Sequence, residues 1–290
     1  MSYPHGGEEA FAYYVNESSY GVTPANPAFQ WIGILQNVEP AIDPSLIKLR
    51  GLGSRQLQYI LAGLRKVNLK IDYAMQNKAF LNNIASGWPT GSGTPMSIEV
   101  YYISPATGNL DFNLLHKGCL LNKVAVKGSV LSGEDMEINV ETEIIGQDVS
   151  VGTSHPTGAT YAADPGTTPK RGSDVKIELA TVEVTDIYEF TFSIVNNLKR
   201  YPVIRSTSGN LLKWLLGRQL ELDIELTAYL TNKQYVEGLM ADWSGEIKFT
   251  IGTDTYTFSG CKYASINLPT KVEAEVPQKL KFTAKSLAIA

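Results

Sequence analysis

Hydrophobic and polar positions alternate over long stretches of this chain. Within 64–74, Val67, Leu69, Ile71 and Tyr73 share one face and Lys66, Asn68, Lys70 and Asp72 the other, the period-two pattern of a half-buried strand. The stretch 136–145 repeats it, with Ile138, Val140 and Thr142 set against Glu137, Asn139, Glu141 and Glu143. Between Asn77 and Gly87 the period changes. Phe80, Leu81, Ile84 and Ala85 fall on one helical face, Asn77 can cap the N-terminus and Gly87 can close the C-terminus, which predicts a short helix packed on a sheet. Residues 146–175 are rich in Thr, Gly and Pro and read as a linker or long surface loop. Strands are expected again at 176–184 and 188–195 and on to the end. The first 30 residues mix Gly, Pro, Ser, Asn and aromatics, as an extended arm would. The expected class is mainly β with two short flanking helices.

The strand-and-helix block occurs twice. Val67, Leu69 and Ile71 align with Leu222, Ile224 and Leu226, Asn77-Lys78 with Asn232-Lys233, Phe80 with Tyr235, and Trp88 with Trp243. After one insertion in the first copy, within 89–118, Gly118-Cys119 aligns with Gly260-Cys261, Val124 and Val126 with Ile266 and Leu268, and Ile138 and Val140 with Leu280 and Phe282. An ordered pattern recurring at this length signals tandem units: an arm over 1–30, one unit over 31–145, the linker 146–175, and a second unit over 176–290. Trp88, Trp243, Cys119 and Cys261, equivalent in pairs, are expected in the two cores. Charges at matching strands change sign. The first copy has Lys66 and Lys70 early and Glu137, Glu141 and Glu143 late; the second has Glu221, Asp223 and Glu225 early and Lys279, Lys281 and Lys285 late. Opposite faces of that kind could let copy one meet copy two side by side in a closed ring.

Composition narrows the function. The 290 residues are 43% hydrophobic and 19% charged, with formal charge −4. A mildly acidic chain lacks the footprint of a dedicated nucleic-acid binder. Its two cysteines exclude a disulfide framework. The polar start, without a basic or apolar leader, suggests a protein that stays in the cytoplasm where it is made or leaves without a signal peptide. Catalytic patterns are missing. His5, His116 and His155 read as incidental surface residues far from any Gly-x-Ser-x-Gly elbow, and no His-Glu-x-x-His, Cys-x-x-Cys or Walker A run occurs. Gly51-Leu-Gly53-Ser-Arg55 reads as a tight turn, and Glu8-Glu9 and Glu134-Asp135 as arm and turn residues. No enzyme activity, metal or cofactor is expected.

Near the N-terminus, Glu17-Ser-Ser-Tyr20-Gly21-Val-Thr-Pro24 precedes Pro27, Phe29 and Trp31. This resembles the opening of tailed-phage tail tube (major tail) proteins, and the strand, short helix and antiparallel hairpins that follow are similar to that family too. The resemblance implies a virion subunit with two tube-like β-sandwich or partial-barrel domains. It implies sheets joined edge to edge into a pseudo-hexameric trimer or a hexamer, with rings stacked into a conduit for viral DNA. It also implies a protein made in the host cytoplasm and located in the virion tail, with tape-measure, terminator and distal-tail proteins as partners. Closing a ring would remove exposed sheet edges. A wall facing DNA should carry carboxylates and small polar groups rather than a basic stripe, and the acidic rows at Glu137, Glu141 and Glu143 and at Glu221, Asp223 and Glu225 are candidates for that wall or for the ring interface. The arm and the 146–175 segment are expected to link rings or subunits. Other readings are a distal-tail or terminator ring, the tube of an injection machine and, more distantly, a carbohydrate-binding β-sandwich with a concave aromatic platform.

Overall fold

The computed structural model describes residues 7–52, 55–61, 63–85, 93–131, 134–202, 212–229, 234–268 and 277–290. The first part carries β1 (Ala10–Asn16), β2 (Ala28–Trp31), β3 (Ile34–Asp43), β4 (Ile47–Leu49), β5 (Tyr59–Leu61), β6 (Lys66–Ala74), α1 (Asn82–Ala85), β7 (Met96–Ile103), β8 (Leu110–Leu131), β9 (Glu134–Asp135), β10 (Asn139–Gly146) and β11 (Asp148–Gly152). After β12 (Thr160–Tyr161) come β13 (Val175–Leu179), β14 (Val182–Glu183), β15 (Ile187–Val195), β16 (Leu198–Pro202), β17 (Leu212–Gly217), β18 (Glu221–Tyr229), α2 (Gln234–Met240), β19 (Ser244–Ile251), β20 (Asp254–Asn267), β21 (Pro277–Thr283) and β22 (Ser286–Ile289). The protein is mainly β, with large open sheets rather than a closed barrel.

One run of antiparallel pairs, the front sheet, goes β3–β6–β10–β8 and continues β15–β18–β21–β20. Behind it lie β2–β1–β7–β8–β11 in the first part and β14–β13–β19–β20–β22 in the second. The same neighbour relations thus occur twice in the same order. β8 and β20 each serve both sheets, and each turns the corner at a glycine with positive φ, Gly118 at 59° and Gly260 at 65°. Left-handed backbone is cheap for glycine and allows the local kink that passes a strand from one sheet to another. The next residue, Cys119 or Cys261, is a buried free thiol. That geometry explains why a Gly-Cys pair stands at the same place in both strands.

Side chains on one face of the front sheet fill the core. Leu69, Ile71, Tyr73, Val124, Val126, Phe192, Ile194, Ile224, Leu226, Leu280 and Phe282 are buried there with Ile98 and Val100 of β7 and Phe249 of β19. Phe80, Leu81 and Ile84 join them from the helical segment as its periodicity predicts, and Asn77 Oδ1 accepts the Ala79 N–H at 2.9 Å. The α-helix itself covers only Asn82–Ala85. Gly87, Trp88, Asn232 and Lys233 lie outside the described residues. Trp243 packs edge-on against Tyr263 and Phe282.

Several expectations are corrected. Residues 10–16 are no arm: β1 pairs with β7 over its whole length and buries Ala12, Tyr13, Tyr14 and Val15, because both its faces are covered, Ala12 and Tyr14 by the main core and Tyr13 and Val15 by the cluster around Phe29. Residues 176–184 form a hairpin, not one strand, turning at Ala180 and Thr181 with φ of 49° and 70°. No Gly or Asn announces this turn, so sequence patterning misses it. Met136–Ile138 precede β10 and bond to Lys170 and Gly172 instead. The loop 146–175 does contain β11 and β12, and it is tied down: Gln76 Nε2 donates to Asp164 Oδ1 and the Thr167 carbonyl. The alignment of Val140 with Phe282 also shifts. Val140 lies opposite Tyr73, and Gln278 opposite Ala228, the residue that occupies Tyr73's place, so Val140 corresponds to Gln278. An even slip keeps every side chain on its face, and alternation therefore cannot detect it.

Candidate functional site: open edges and a charged face

Charged residues of the front sheet collect on the face opposite the core. Lys66, Lys70 and Asp72 of β6 stand there beside Glu141 and Glu143 of β10, Lys123 and Lys127 of β8, Glu221, Asp223 and Glu225 of β18, and Lys279 and Lys281 of β21. Opposite signs meet across neighbouring strands within each part. Glu143 lies opposite Lys70 and Lys123, and Glu225 opposite Lys281. Lys127 Nζ and Glu141 Oε1 are 2.5 Å apart, as are Lys281 Nζ and Glu225 Oε1, and Glu225 raises the Lys281 pKa through this hydrogen bond. The sign change along the sequence therefore reflects strands that already neighbour one another inside each part. The joint between the parts, β8 to β15, matches Lys127 with Thr191 and Ala125 with Ser193. Glu137 sits apart, bridged to Arg171 and accepting a hydrogen bond from Gln36 Nε2. Lys285 also sits apart, over the Gly260 corner.

The ends of the front sheet are unoccupied among the described residues. β3 pairs only with β6, and residues 263–267 of β20 only with β21. Their positional counterparts, β15 and the 123–129 stretch of β8, pair with each other. Beyond β3 the hairpin β4–β5 projects an apolar surface: Ile47, Leu49, Tyr59, Ile60 and Leu61 are all exposed. Gly51, Leu52 and Arg55 lie in the connection between its strands, and residues 53 and 54 are outside the described set.

The N-terminal motif has a structural job. Glu17 is buried, and its Oε1 accepts from Ser97 Oγ at 2.6 Å and from the Gly118 N–H at 2.9 Å, while Oε2 accepts from the Gly21 N–H at 2.6 Å. Charge-assisted bonds of this kind are about twice as strong as neutral ones. They fasten the turn through Gly21 and Pro24 to the β8 corner. Tyr20 packs there beside Leu120, Ile145, Leu198 and Leu215. Burial, followed by the charge of Glu17, pushes the Cys119 thiol up.

Two histidines are not incidental surface groups. His116 is fully buried in β8 between Ile98 and Val149, and burial lowers its pKa to about 4. His155 Nδ1 lies 2.9 Å from the buried Glu99 Oε1, and Tyr161 donates to Glu99 Oε2 at 2.5 Å. Asn113 Nδ2 also donates to Glu99. This clasp fixes the 152–161 segment over the back sheet, where Tyr13, Phe29, Tyr101 and Tyr161 pack on one another. These aromatic residues are thus spent on packing against one another. Sequence reasoning missed the clasp, the buried His116 and the hairpin. A run from Leu46 to Leu61 unusually rich in Leu, Ile and Tyr was the available signal for the last.

No group of three or more His, Cys, Asp or Glu placed to hold a metal occurs among the described residues. No helix among them is long and apolar enough to cross a membrane. Among solved structures, similarity extends to a chain in the virion of a native gene transfer agent particle (15% identity, TM-score 0.34, covering 41% of this chain and 97% of that one). It extends also to a chain in the anti-feeding prophage baseplate (12% identity, TM-score 0.38, covering 52% and 97%). No curated protein matches. The phage tail tube protein family matches residues 7–284, nearly the whole described fold. The chain belongs to the phage tail tube protein family, a family of structural virion components.

Proposed function

We propose that this chain carries the same tube domain twice, near 31–145 and 176–290, and that copies close into rings which stack into a DNA conduit. The observation that carries this reading is the β8–β15 joint together with the vacancy of its counterparts. Ile194 of β15 lies opposite Val124 of β8, and both are fully buried. Ile42 holds the place of Ile194, since Ile42 lies opposite Val67 as Ile194 lies opposite Leu222. Ile266 holds the place of Val124, counting from the Gly-Cys corner in each strand. Repeating the joint between molecules sets β3 of one copy against β20 of the next, with Ile42 opposite Ile266, Ala41 opposite Asn267 and Asp43 opposite Ser265. Ile42, 43% exposed in the single chain, would then be covered as Ile194 is.

The charged face would line the lumen. Core, back sheets and helices all lie on the other side of the front sheet, and the bulkier layer has room only on the outside of a closed ring. Paired charges such as Lys127–Glu141 leave few lysines uncompensated, which limits the counterion release that would bind DNA. Since each chain supplies two units, three chains would match the six-unit rings that the family resemblance implies. The apolar face of β4–β5 formed by Ile47, Leu49, Tyr59 and Leu61 suits contact with a stacked ring. Tape-measure, terminator and distal-tail proteins are the expected partners in the virion, and the role is structural rather than enzymatic.

The test is electron microscopy of the purified protein together with an Ala41→Cys/Asn267→Cys variant under oxidation. Long hollow tubes and interchain disulfides between these positions are expected. Single rings that never elongate would move the assignment to a terminator or distal-tail ring, and a monomer with no cross-link would sink it.

A further inference from the structure

The hairpins β4–β5 and β16–β17, each a separate two-stranded sheet, occupy matching positions but have different surroundings. β16–β17 follows β15 as β4–β5 follows β3. Ser45 and Asn197, at the same place in each connection, both have left-handed φ, 48° and 47°. The registers agree as well: Lys48 lies opposite Ile60, and Arg200 opposite Leu215. Lys48 therefore corresponds to Arg200 and Ile60 to Leu215.

The second hairpin is docked within the chain. Leu215 is only 3% exposed, packed on Leu120 with Ile145 and Tyr20 of the first part. Arg200 reaches across β8 and β10 to β6, where Nη2 donates to Asn68 Oδ1 at 2.7 Å and to the Val67 carbonyl at 3.1 Å. The first hairpin has no such seat among the described residues, and Ile60 is 58% exposed. The surface equivalent to the seat of β16–β17 lies at the open β20 end of the molecule. There Asp223 holds the place of Asn68, because both residues follow directly on the matched pair Val67 and Leu222.

Both members of the contact change together: an Arg–Asn pair inside the chain becomes a Lys–Asp pair between the free hairpin and the free seat. We propose that β4–β5 docks on the second part of a neighbouring copy through the Lys48 and Ile60 face, with the Lys48 ammonium on the Asp223 carboxylate. This inference rests on the ring reading above and adds to it a second, charge-selective contact beyond the strand edge. A Lys48–Asp223 pair fixes which end of one molecule meets which end of the next, because like charges set opposite each other are rejected. The surface that receives Lys48 is not apolar. Thr283 Oγ1 already donates to Asp223 Oδ1 at 3.0 Å, which leaves Oδ2 to accept from the ammonium, and the stem of the neighbour's Lys262, which holds the place of Leu120 and whose ammonium is held by Asp242, would cover Ile60.

The experiment is charge reversal in the full chain, read by sedimentation velocity and thermal melting. Lys48→Glu and Asp223→Lys are each expected to raise the concentration needed for half-assembly by roughly tenfold. The melting temperature of the single chain should stay unchanged, because both side chains are exposed in it. The double variant Lys48→Glu/Asp223→Lys should return to near wild-type assembly. Singles that assemble like wild type, or a double variant as defective as the singles, would overturn the docking. The edge cross-link between positions 41 and 267 separates the two failures. A cross-link that forms while charge reversal has no effect leaves the ring reading intact and removes only the hairpin contact. Absence of both the cross-link and wild-type rings removes both.

Discussion

β8 and β20 have matching neighbours on one side and differ on the other. Each leaves the back sheet at a Gly-Cys corner and pairs with the late strand of its own part, β10 or β21. β8 then receives β15, while the corresponding edge of β20 stands open among the described residues. The hairpins show the same contrast, with Leu215 covered and Ile60 bare. The strand order is the same on the matching side of both, so the pairing pattern of the strands does not by itself account for the difference on the other. The chain forms one such joint, while β3 and residues 263–267 of β20 each have a single strand partner among the described residues.

The largest test sets Ile194 against Ile42. Ile194→Asp puts a carboxylate into a fully buried site and should cost about 4 kcal/mol or more, enough to unfold the chain. Ile42→Asp, at the exposed counterpart, should change single-chain stability by about 0.5 kcal/mol or less while abolishing rings in sedimentation. Equal melting losses in the two variants would mean that the edges are not equivalent.

The next effect belongs to His116, whose counterpart in β20 is Phe258, so only the first part carries a titratable group at this core position. Its pKa is about 4 when folded against 6.5 ordinarily. The unfolded chain therefore takes up the proton first as pH falls. Stability is full above 6.5 and declines by about 3 kcal/mol as pH drops toward 4. His116→Leu should remove one proton's worth of this slope in denaturant titrations between those limits. An unchanged slope would show that other groups produce it.

The corner glycines follow. An added Cβ at Gly118 would stand 2.7 Å from Gln147 Cβ and 3.2 Å from the Tyr20 ring, whereas at Gly260 it meets the flexible Lys285 stem. Gly118→Ala should thus cost about 2–3 kcal/mol and Gly260→Ala about 1 kcal/mol, by thermal melting. The reverse order would show that the two corners are not built alike. Smallest of all are the surface pairs: Lys127→Ala and Lys281→Ala should each cost under about 1 kcal/mol and show less effect at high salt.

Much of the fold was legible in the sequence. The inward sets of β6 and β18 are the alternating residues themselves, and Phe80, Leu81 and Ile84 turn inward as the helical period requires. The Gly-Cys pairs mark corners because the strand must change sheets there. Other features were hidden for physical reasons. β1 was obscured by the Gly- and Pro-rich residues around it. The β13–β14 turn uses Ala180 and Thr181, which carry no turn signature. The clasp joins Glu99 to His155 and Tyr161 across a long loop, and nothing local in the sequence connects them. The matching of β10 to β21 was misplaced because period-two patterns are blind to even slips.

The sequence by itself determined many of the strands, the apolar face of those that alternate and the recurrence of one ordered block. These are properties of local periodicity and composition, set residue by residue. Only the tertiary structure decided which strands stand next to each other, that opposite charges meet inside each part, and which edges and which hairpin have no further partner among the described residues. Neighbour choice depends on contacts between residues far apart in the chain, and an alternating strand has the same pattern at the middle of a sheet as at its border.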